Sequence, residues 1–296
     1  MKILIIKLGA SGDVVRTTAL LHKLPGDIYW ITSDENLVLL ADNKRINRAV
    51  SWKHSSDLIG IEFNLVINLE DSIEIAKIVG QLQYKELFGA YLSHSNNIEY
   101  TENARSWFDL SLVSRFGRIK ADELKLQNRK SYQELLFSCL GYQFHNDGYF
   151  LPHAAASDLV GDVAIASTAG NVWPMKRWAF YDQLKNKLED DGHVVNFLPS
   201  RRTLLEHIAD VQSHKCLVSG DTLPMHIALG SGMKCVTLFQ CTSPWEIHDY
   251  GLQTKIISPL LEKYFYKRGF DVEATTCIPL DVVYEMTTQI CSKSKS

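Results

Sequence analysis

Short apolar runs alternate with amphipathic segments along the whole chain, and this alternation predicts its fold. The first half has strand-like runs at 2–7, 28–32, 64–69 and 86–90, and helical patterns near 13–23, 34–42, 71–83, 104–115 and 131–140. The second half has strand-like runs near 162–167, 193–198, 215–219, 234–239 and 254–258, and helical patterns at 175–190, 202–213, 222–231 and 279–291. Because strands and helices alternate, the pattern predicts an α/β protein with one helix-covered parallel sheet in each half.

A segment without clear periodicity, 143–161, separates the two halves. It contains Gly148, Pro152 and several small residues, which favour a linker. We therefore predict one domain over 1–150 and a second over 151–296, with the last helix a candidate for packing back on the first domain. Ligands of parallel α/β sheets bind at the carboxyl ends of the strands. Candidate functional residues are thus expected in turns that follow strands.

Composition and charge narrow the class of protein. The chain has 296 residues, 46% hydrophobic and 22% charged, with a formal net charge of −3, so nothing global calls for nucleic acid. No apolar run approaches the roughly 20 residues of a membrane span, and Lys2 and Lys7 bracket a run too short for a secretory signal. The six cysteines form no CxxC pair and no metal-ligand spacing. These features predict a reduced cytoplasmic protein without a bound metal or cofactor.

The turn after the first strand carries a candidate catalytic carboxylate. Gly9, Ser11 and Gly12 precede Asp13, at the start of a predicted helix. The spacing departs from the G-x-G-x-x-G dinucleotide fingerprint, which argues against a nicotinamide site. Asp13 has two open interpretations: a residue that stabilises the helix N-terminus, or a group with a chemical role.

Three turns in the second half predict a diphosphate pocket. The first strand there ends in Ser167 and Thr168, followed by the run WPMKRW with its cations Lys176 and Arg177. These cations either pair with phosphate or belong to a solvated first turn. A later strand runs into Asp221 and a helix N-terminus, and another strand ends in the polar run QCTSPW. Hydroxyls and backbone N–H groups at equivalent strand ends suit a nucleotide diphosphate.

The segments ILIIKLGASGDVVRTTALL, WPMKRW and SGDTLPMHIALGSG followed by VTLFQCTSP resemble the heptosyltransferases, glycosyltransferase family 9. The resemblance covers nearly the whole chain, with the motifs in the family's order. It implies the GT-B fold, with two Rossmann-like domains facing across a cleft. It further implies inverting transfer of a sugar, a heptose from ADP-heptose in that family. No D-x-D motif stands in a plausible metal-binding turn, so the transfer is expected to be metal-independent. The implied acceptor is a saccharide or lipid-linked saccharide such as lipopolysaccharide core, with peripheral contact to the inner membrane.

The resemblance also assigns roles to residues. Asp13 matches the general base of the family, and the residues around it, Gly9, Ser11 and Gly12, leave room for donor sugar and acceptor. The residues expected to bind the donor are Ser167, Thr168, Lys176, Arg177, Glu206, Asp221, Thr222 and His226. Glu206 is included because it is the carboxylate nearest to the turn LPSRR, where the family has an acidic ribose contact. The residues alone favour His226 as a core histidine.

The sequence departs from the family pattern at two places in the expected donor site. Leu223 and Pro224 stand where family members often have glycine, and Asn171 stands where many have a phosphate-binding lysine. Lys176 or Arg177 is then the expected substitute. Three alternatives stay open: transfer from another nucleotide sugar, a GT-B protein that binds nucleotide sugars without transfer, and a sugar-nucleotide epimerase.

A set of cations in the first half is a candidate for acceptor recognition. They could meet a phosphorylated or carboxylated acceptor, or form a solvated helical surface. Its members are Arg105, Arg115, Arg118, Lys120, Lys125, Arg129 and Lys130.

Overall fold

The chain forms two compact units, Met1–Pro152 and His153–Ser296. The computed structural model describes residues 1–110 and 115–293. The two units divide within the segment 143–161, which has neither helix nor strand before β7 begins at Gly161.

The first domain is built on a mostly parallel sheet. Its strands are β1 (Lys2–Ile6), β2 (Asp27–Thr32), β3 (Ile46–Ser51), β4 (Glu62–Asn68), β5 (Gln83–Leu92) and β6 (Ile98–Tyr100). They lie in the order β3-β2-β1-β4-β5-β6, and β6 pairs antiparallel with β5. The α-helices are α1 (Ser11–Thr17), α2 (Ile73–Val79), α3 (Arg105–Phe108), α4 (Arg118–Gln127) and α5 (Tyr132–Cys139). The 3-10 helices are Thr18–His22, Asp34–Leu40, Trp52–Leu58 and Glu102–Ala104.

β1 is the central strand of this sheet, and its sequence explains why. Ile3 to Ile6 are completely buried, and Ile5 lies in register with Trp30 of β2 and Ile67 of β4. A strand covered on both faces needs such a continuous apolar run. The burial of each such side chain stabilises the fold by about 2 kcal/mol.

Several elements of the first domain differ from the prediction. The predicted helix 13–23 is α only to Thr17 and continues as a 3-10 helix, and the predicted helix 34–42 is also a 3-10 helix. The edge strand β3 was missed because only its last two residues are buried, which leaves no clear alternation. α4 was missed because it is polar, with only Ala121 and Lys125 buried. The predicted helix 104–115 corresponds to α3 and its flanking turns, and its residues 111–114 lie outside the described residues.

The second domain is built on a wholly parallel sheet. Its strands are β7 (Gly161–Ala166), β8 (Val195–Phe197), β9 (His214–Gly220), β10 (Lys234–Phe239) and β11 (Gln253–Ile257), in the order β11-β10-β9-β7-β8. The α-helices are α6 (Tyr181–Asp190), α7 (Leu204–Gln212), α8 (Leu223–Gly230), α9 (Leu261–Tyr264), α10 (Val272–Thr276) and α11 (Leu280–Lys293). A 3-10 helix covers Pro174–Lys176.

The core of the second domain lies between its sheet and the helices α6 and α11. Leu184 and Leu188 of α6 are fully buried, and Val283 and Ile290 of α11 belong to the same apolar cluster. The predicted helix 175–190 begins only at residue 181, because Trp178 is instead buried and donates its indole N–H to the carbonyl of Ile278 at 2.9 Å. α9 and α10 are too short to leave a periodic signal.

In each sheet, successive strands are added first on one side of the first strand and then on its other side. In the first sheet β1 lies between β2 and β4, and in the second β7 lies between β8 and β9. Loops leave such a pair of neighbouring strands in opposite directions, which opens a crevice at their carboxyl ends. We call these places the first crevice (ends of β1 and β4) and the second crevice (ends of β7 and β9).

Candidate functional site

An ion pair bridges the first crevice. Lys7 follows β1, and its ammonium contacts Oε1 of Glu70, which follows β4, at 3.0 Å. The same carboxylate oxygen accepts the backbone N–H of Leu8 at 2.8 Å. Burial lowers the pKa of Lys7, but the charges of Glu70 and Asp13 outweigh it and raise that pKa above its ordinary value. Lys7 is therefore a charged group fixed below the first βα turn.

Asp13 lies in the first turn of α1 beside two cations. Its Oδ1 is 2.8 Å from a guanidinium nitrogen of Arg16, and its Oδ2 is 3.9 Å from the ammonium of Lys7. The carboxyl side chain keeps 32% of its surface exposed, so a substrate hydroxyl can reach it. The structure thus gives the predicted base an accessible carboxylate with a cation beside each of its oxygens. Whether it takes a proton stays a prediction.

Arg16 is itself held by an aromatic ring. Its guanidinium lies 3.8 Å from the ring centroid of Tyr132 in α5, a favourable cation–π geometry. The hydroxyl of Tyr132 is hydrogen-bonded to the hydroxyl of Thr17 at 2.5 Å. The Thr17 hydroxyl donates to the backbone carbonyl of Asp13 at 2.6 Å. Burial raises the pKa of Tyr132, so its phenol stays neutral at physiological pH. The Asp13–Arg16 pair is consequently anchored to a second helix.

The glycine-bearing turn before Asp13 is open. A Cβ on Gly9 would have Asn36 Nδ2 as its nearest neighbour, at 3.6 Å, which is an ordinary contact. Ser11 and Gly12 are partly exposed at the start of α1. Packing alone therefore does not require glycine at position 9, and the predicted role of these residues in leaving room for a substrate stays a prediction.

Glu70 was not among the predicted site residues. It directly follows a predicted strand, which is the place where polar residues were sought, but the sequence does not say that this strand pairs with β1. The buried Asn68 accepts the backbone N–H of Glu70 at 3.1 Å and donates to the carbonyl of Ala90 at 2.8 Å. Gly89 lets these strands approach, because any Cβ there would lie 2.0 Å from the Asn68 carbonyl oxygen.

The second crevice is lined by hydroxyls and a buried ion pair. Ser167 and Thr168 follow β7, with Ser167 half-buried and Thr168 exposed. On the other side, Oδ2 of Asp221 accepts the ammonium of Lys176 at 2.9 Å and the hydroxyl of Thr242 at 2.8 Å. Burial alone would raise the pKa of Asp221, but Lys176, His226 and these hydrogen bonds lower it to about 2. Asp221 is therefore ionised throughout the physiological range.

Gly220 is the reason that Lys176 reaches Asp221. A Cβ on Gly220 would lie 2.8 Å from the Lys176 carbonyl oxygen, closer than real side chains approach. The lysine ammonium also donates to the backbone carbonyl of Asp221 at 2.5 Å. By contrast, Arg177 and Asn171 are exposed. Of the two cations expected to replace the family's lysine, the structure brings Lys176 to the crevice.

The helix α8 begins at this crevice. Thr222 is its N-cap residue and makes no capping hydrogen bond with its side chain. Pro224 in the first turn suits the helix start but supplies no N–H group. His226 is 95% buried in the same helix, and its charge acts on Asp221. The position of His226 agrees with the residue-based interpretation of a core histidine that also adjoins the site.

Glu206 belongs to a capping box. Its Oε2 accepts the backbone N–H of Thr203 at 2.9 Å and the Thr203 hydroxyl at 3.0 Å, at the N-terminus of α7. These bonds lower the pKa of Glu206. In the same turn Arg201 makes an ion pair with the buried Asp210 at 2.6 Å. The expected contact of Glu206 with ribose stays a prediction.

The cations of the first half are largely matched by neighbouring carboxylates. The pairs are Arg105–Glu102, Arg115–Asp109, Arg118–Asp122 and Lys120–Glu123. Lys125 is buried rather than on the surface. Four of the seven cations are therefore paired with a carboxylate.

Three further observations concern the described residues as a whole. All six cysteines are free thiols. Within residues 1–110 and 115–293, no cluster of three or more His, Cys, Asp or Glu side chains could hold a metal ion. In the same residues no helix has the length and apolar character needed to cross a membrane.

Comparison with known proteins places this architecture among the glycosyltransferases. A family 9 glycosyltransferase from Veillonella parvula aligns with a TM-score of 0.69 and 14% identity, over 99% of this chain and 97% of that one. E. coli heptosyltransferase WaaC with ADP-2-deoxy-2-fluoro heptose aligns with a TM-score of 0.62 and 14% identity, over 98% and 99%. E. coli ADP-heptose lps heptosyltransferase II aligns with a TM-score of 0.66 and 14% identity, over the full length of both chains. No family model and no curated protein matches the sequence.

The fold is therefore that of the GT-B glycosyltransferases, as predicted, with a parallel α/β sheet in each domain. More particularly, it is the fold of family 9 and its heptosyltransferases, matched from end to end.

Proposed function

We propose that this protein is an inverting, metal-independent glycosyltransferase that moves a heptose from ADP-heptose to a saccharide acceptor such as lipopolysaccharide core. The observation that carries the proposal is the second crevice. Its hydroxyls, helix N-terminus and Lys176 form a phosphate-binding arrangement in a fold shared with a heptosyltransferase solved with an ADP-heptose analogue.

Asp13 acts as the general base in the proposed reaction. An acceptor hydroxyl gives its proton to the Asp13 carboxylate while its oxygen forms a bond to the anomeric carbon of the donor sugar. The bond from that carbon to the diphosphate breaks, and its electron pair leaves on the diphosphate oxygen. Attack from the face opposite the leaving group inverts the anomeric configuration. The 32% exposure of the carboxylate supports this role, because the base must reach a substrate oxygen.

The leaving diphosphate gathers negative charge, which the second domain neutralises. Lys176 supplies a positive charge that Asp221 and Thr242 hold in place. The hydroxyls of Ser167 and Thr168 and the N-terminus of α8 add hydrogen-bond donors. In this mechanism Asp221 contributes by fixing the lysine, in addition to any bond that it accepts from the sugar.

The proposal includes a cytoplasmic site of action, with acceptors met at the inner membrane. Six free thiols are what a reducing compartment preserves. Separation of vesicle-bound from free protein, with and without acceptor lipid, tests the membrane contact.

A donor screen tests the proposal directly. Thermal unfolding is measured with ADP-heptose and with ADP-, GDP-, UDP- and dTDP-hexoses, because a ligand that binds only the folded state raises the midpoint. We expect ADP-heptose to give the largest rise and to release ADP in the presence of a core oligosaccharide, with unchanged rate in EDTA. Stabilisation by another nucleotide sugar alone would contradict the heptosyl assignment and leave sugar transfer standing.

A binding protein without transfer activity is the second candidate. Pro224 removes one N–H group from the first turn of α8, and Lys176 is already paired with Asp221, so the site offers fewer ready donors to a leaving group. This candidate predicts that ADP-heptose stabilises the fold while no ADP is released with any saccharide acceptor. Measuring both quantities on the same sample separates the two functions.

A further inference from the structure

The first crevice contains a charged residue that the proposed mechanism does not use. Lys7 has only 10% of its side chain exposed, yet it carries a full charge between two carboxylates. A buried ammonium destabilises the fold unless it is paired, so the position of Lys7 needs an explanation. Glu70 satisfies it at 3.0 Å, and Asp13 lies at 3.9 Å on its other side.

We propose that Lys7, fixed by Glu70 across the first crevice, is the positioning residue for Asp13: it orients the carboxylate and keeps it ionised for proton transfer. The inference rests on the proposed role of Asp13 as base. It assigns functions to two residues, of which neither contacts the substrate.

The geometry of Lys7 supports a positioning role. The backbone at Lys7 is fixed, because its N–H donates to the carbonyl of Ile31 at 3.0 Å. Glu70 is fixed as well, since its Oε1 also bonds the N–H of Leu8 at 2.8 Å and its own N–H bonds Asn68 at 3.1 Å. The ammonium therefore occupies one place, and a charge in one place can orient a carboxylate that is still 32% exposed.

Arg16 alone does not explain the arrangement. It pairs with Oδ1 of Asp13, while Lys7 lies on the side of Oδ2. Two cations on different oxygens fix the plane of a carboxylate more firmly than either cation does by itself. Arg16 is held by the Tyr132 ring, and Lys7 by Glu70, so each cation has its own support.

The charged and titratable groups near Asp13 come from several elements. Lys7 lies at the end of β1, Glu70 after β4, Arg16 on α1 and Tyr132 on α5. Other such groups on the elements packed against α1 are engaged elsewhere or exposed. Asp34 pairs with Lys53, Glu35 is exposed, His22 stacks on Phe150, and Glu134 accepts from Ser131.

The test is a pH titration of the Asp13 carboxyl group by NMR. The protein is labelled with 13C at aspartate carboxyl carbons, and the Asp13 signal is identified as the one missing from Asp13→Asn. In Lys7→Met we expect the titration midpoint to rise by about one pH unit, because a neighbouring cation is lost. In Glu70→Gln we expect it to fall, because a neighbouring negative charge is lost.

Opposite shifts show that both charges act on the Asp13 carboxylate. A purely structural ion pair would leave kcat unchanged in the variants that fold. Lys23→Met is the matched control, since Lys23 makes a 3.0 Å ion pair with Asp147 in the same domain. It should leave the midpoint within about 0.2 pH units. If Lys7→Met does not fold, Glu70→Gln decides alone through its kinetics: a kcat lowered by about tenfold supports the proposal, and an unchanged kcat overturns it.

Kinetics complete the test with ADP-heptose and a core oligosaccharide. Lys7→Met should lower kcat by about tenfold or more while KM for the donor stays unchanged, because a misplaced base affects the chemical step. An unchanged kcat would overturn the proposal. If Asp13→Asn retains transfer, the proposed base is wrong; if only the Lys7 and Glu70 variants behave otherwise than expected, the positioning role alone fails.

Discussion

In the first domain the crevice between β1 and β4 is crossed by an ion pair, and its accessible group is a carboxylate, Asp13. In the second domain the crevice between β7 and β9 keeps its ion pair at one side, and at the other side lie the half-buried Ser167 and the exposed Thr168. The two sheets share one topological rule for where a crevice opens. The side chains at each crevice decide whether it can accept a proton or bind an anion.

The cations of the two crevices are also used differently. Lys7 and Arg16 both face Asp13, so in the proposed mechanism they adjust the group that takes the proton. Lys176 faces Asp221, which holds it where an anionic ligand is expected. In the proposed mechanism the carboxylate of the first crevice acts on the substrate and the cations support it, whereas in the second crevice the cation acts and the carboxylate supports it.

The largest expected effect comes from Asp13→Asn. Asparagine preserves the size of the side chain but cannot accept the acceptor's proton, so we expect kcat to fall by about 10³-fold. Donor binding should change little, because the donor residues lie in the other domain. The measurement is ADP release from ADP-heptose in the presence of acceptor, together with the donor dissociation constant. A rate near that of the parent protein would contradict the comparison, since Asp13 would then only stabilise the helix.

The residues at the second crevice were easier to predict than those at the first. Ser167, Thr168, Lys176 and Asp221 each follow a clear strand or stand in a distinctive motif, and their contact with a donor stays a prediction. Glu70 was missed, since only the strand order β2-β1-β4 brings it beside Lys7. Strand order depends on long-range pairing, which local periodicity does not encode.

The fold could be predicted because its buried strands leave a clear pattern in the sequence. Long apolar strands such as β1 and β9 are visible in the sequence, and with the motifs they led to the GT-B fold. The edge strand β3 and the polar helix α4 were not, because few of their residues are buried. The Gly220 contact likewise depends on where the turn 174–176 packs, which no neighbouring residue reveals.

Lys176→Met should turn Asp221 from a stabilising residue into a destabilising one. The lost partner leaves a buried carboxylate, and we expect the free energy of unfolding at neutral pH to fall by about 2–3 kcal/mol. Donor affinity should fall as well. Urea unfolding and donor titration measure the two effects. Arg177→Met is the matched control, because this neighbouring cation is exposed, and its unfolding free energy should stay within about 0.5 kcal/mol.

The same pair predicts a pH dependence with a defined sign. The folded-state pKa of Asp221 is lowered to about 2, below its ordinary value, so the pair contributes stability above about pH 4 and loses it as the pH falls towards 2. We expect about 2 kcal/mol of stability to disappear over this range in the parent protein. Lys176→Met should lack this part of the acid sensitivity. An unaltered acid profile would mean that Asp221 is held ionised by other groups.

Gly220→Ala should weaken the second crevice by displacing Lys176. The new Cβ would meet the Lys176 carbonyl at 2.8 Å, and we expect a loss of about 1–3 kcal/mol in unfolding free energy with weaker donor binding. Gly148→Ala is the control, because nothing lies within 4 Å of its Cβ position. If both variants bind donor equally well, Lys176 does not need its present position to bind phosphate.

Tyr132→Phe should have the smallest effect, and it tests how Tyr132 supports the first crevice. Phenylalanine keeps an aromatic face beneath Arg16, which lies 3.8 Å from the ring centroid, but removes the 2.5 Å bond to Thr17. The Thr17 hydroxyl still has the carbonyl of Asp13 as its acceptor. We expect urea unfolding to give a loss of about 1 kcal/mol, typical of one buried hydrogen bond. A loss several times larger would mean that the Tyr132 hydroxyl, and not the stacking of its ring, anchors α1 to α5, and the support of the Asp13–Arg16 pair would then lie in that bond.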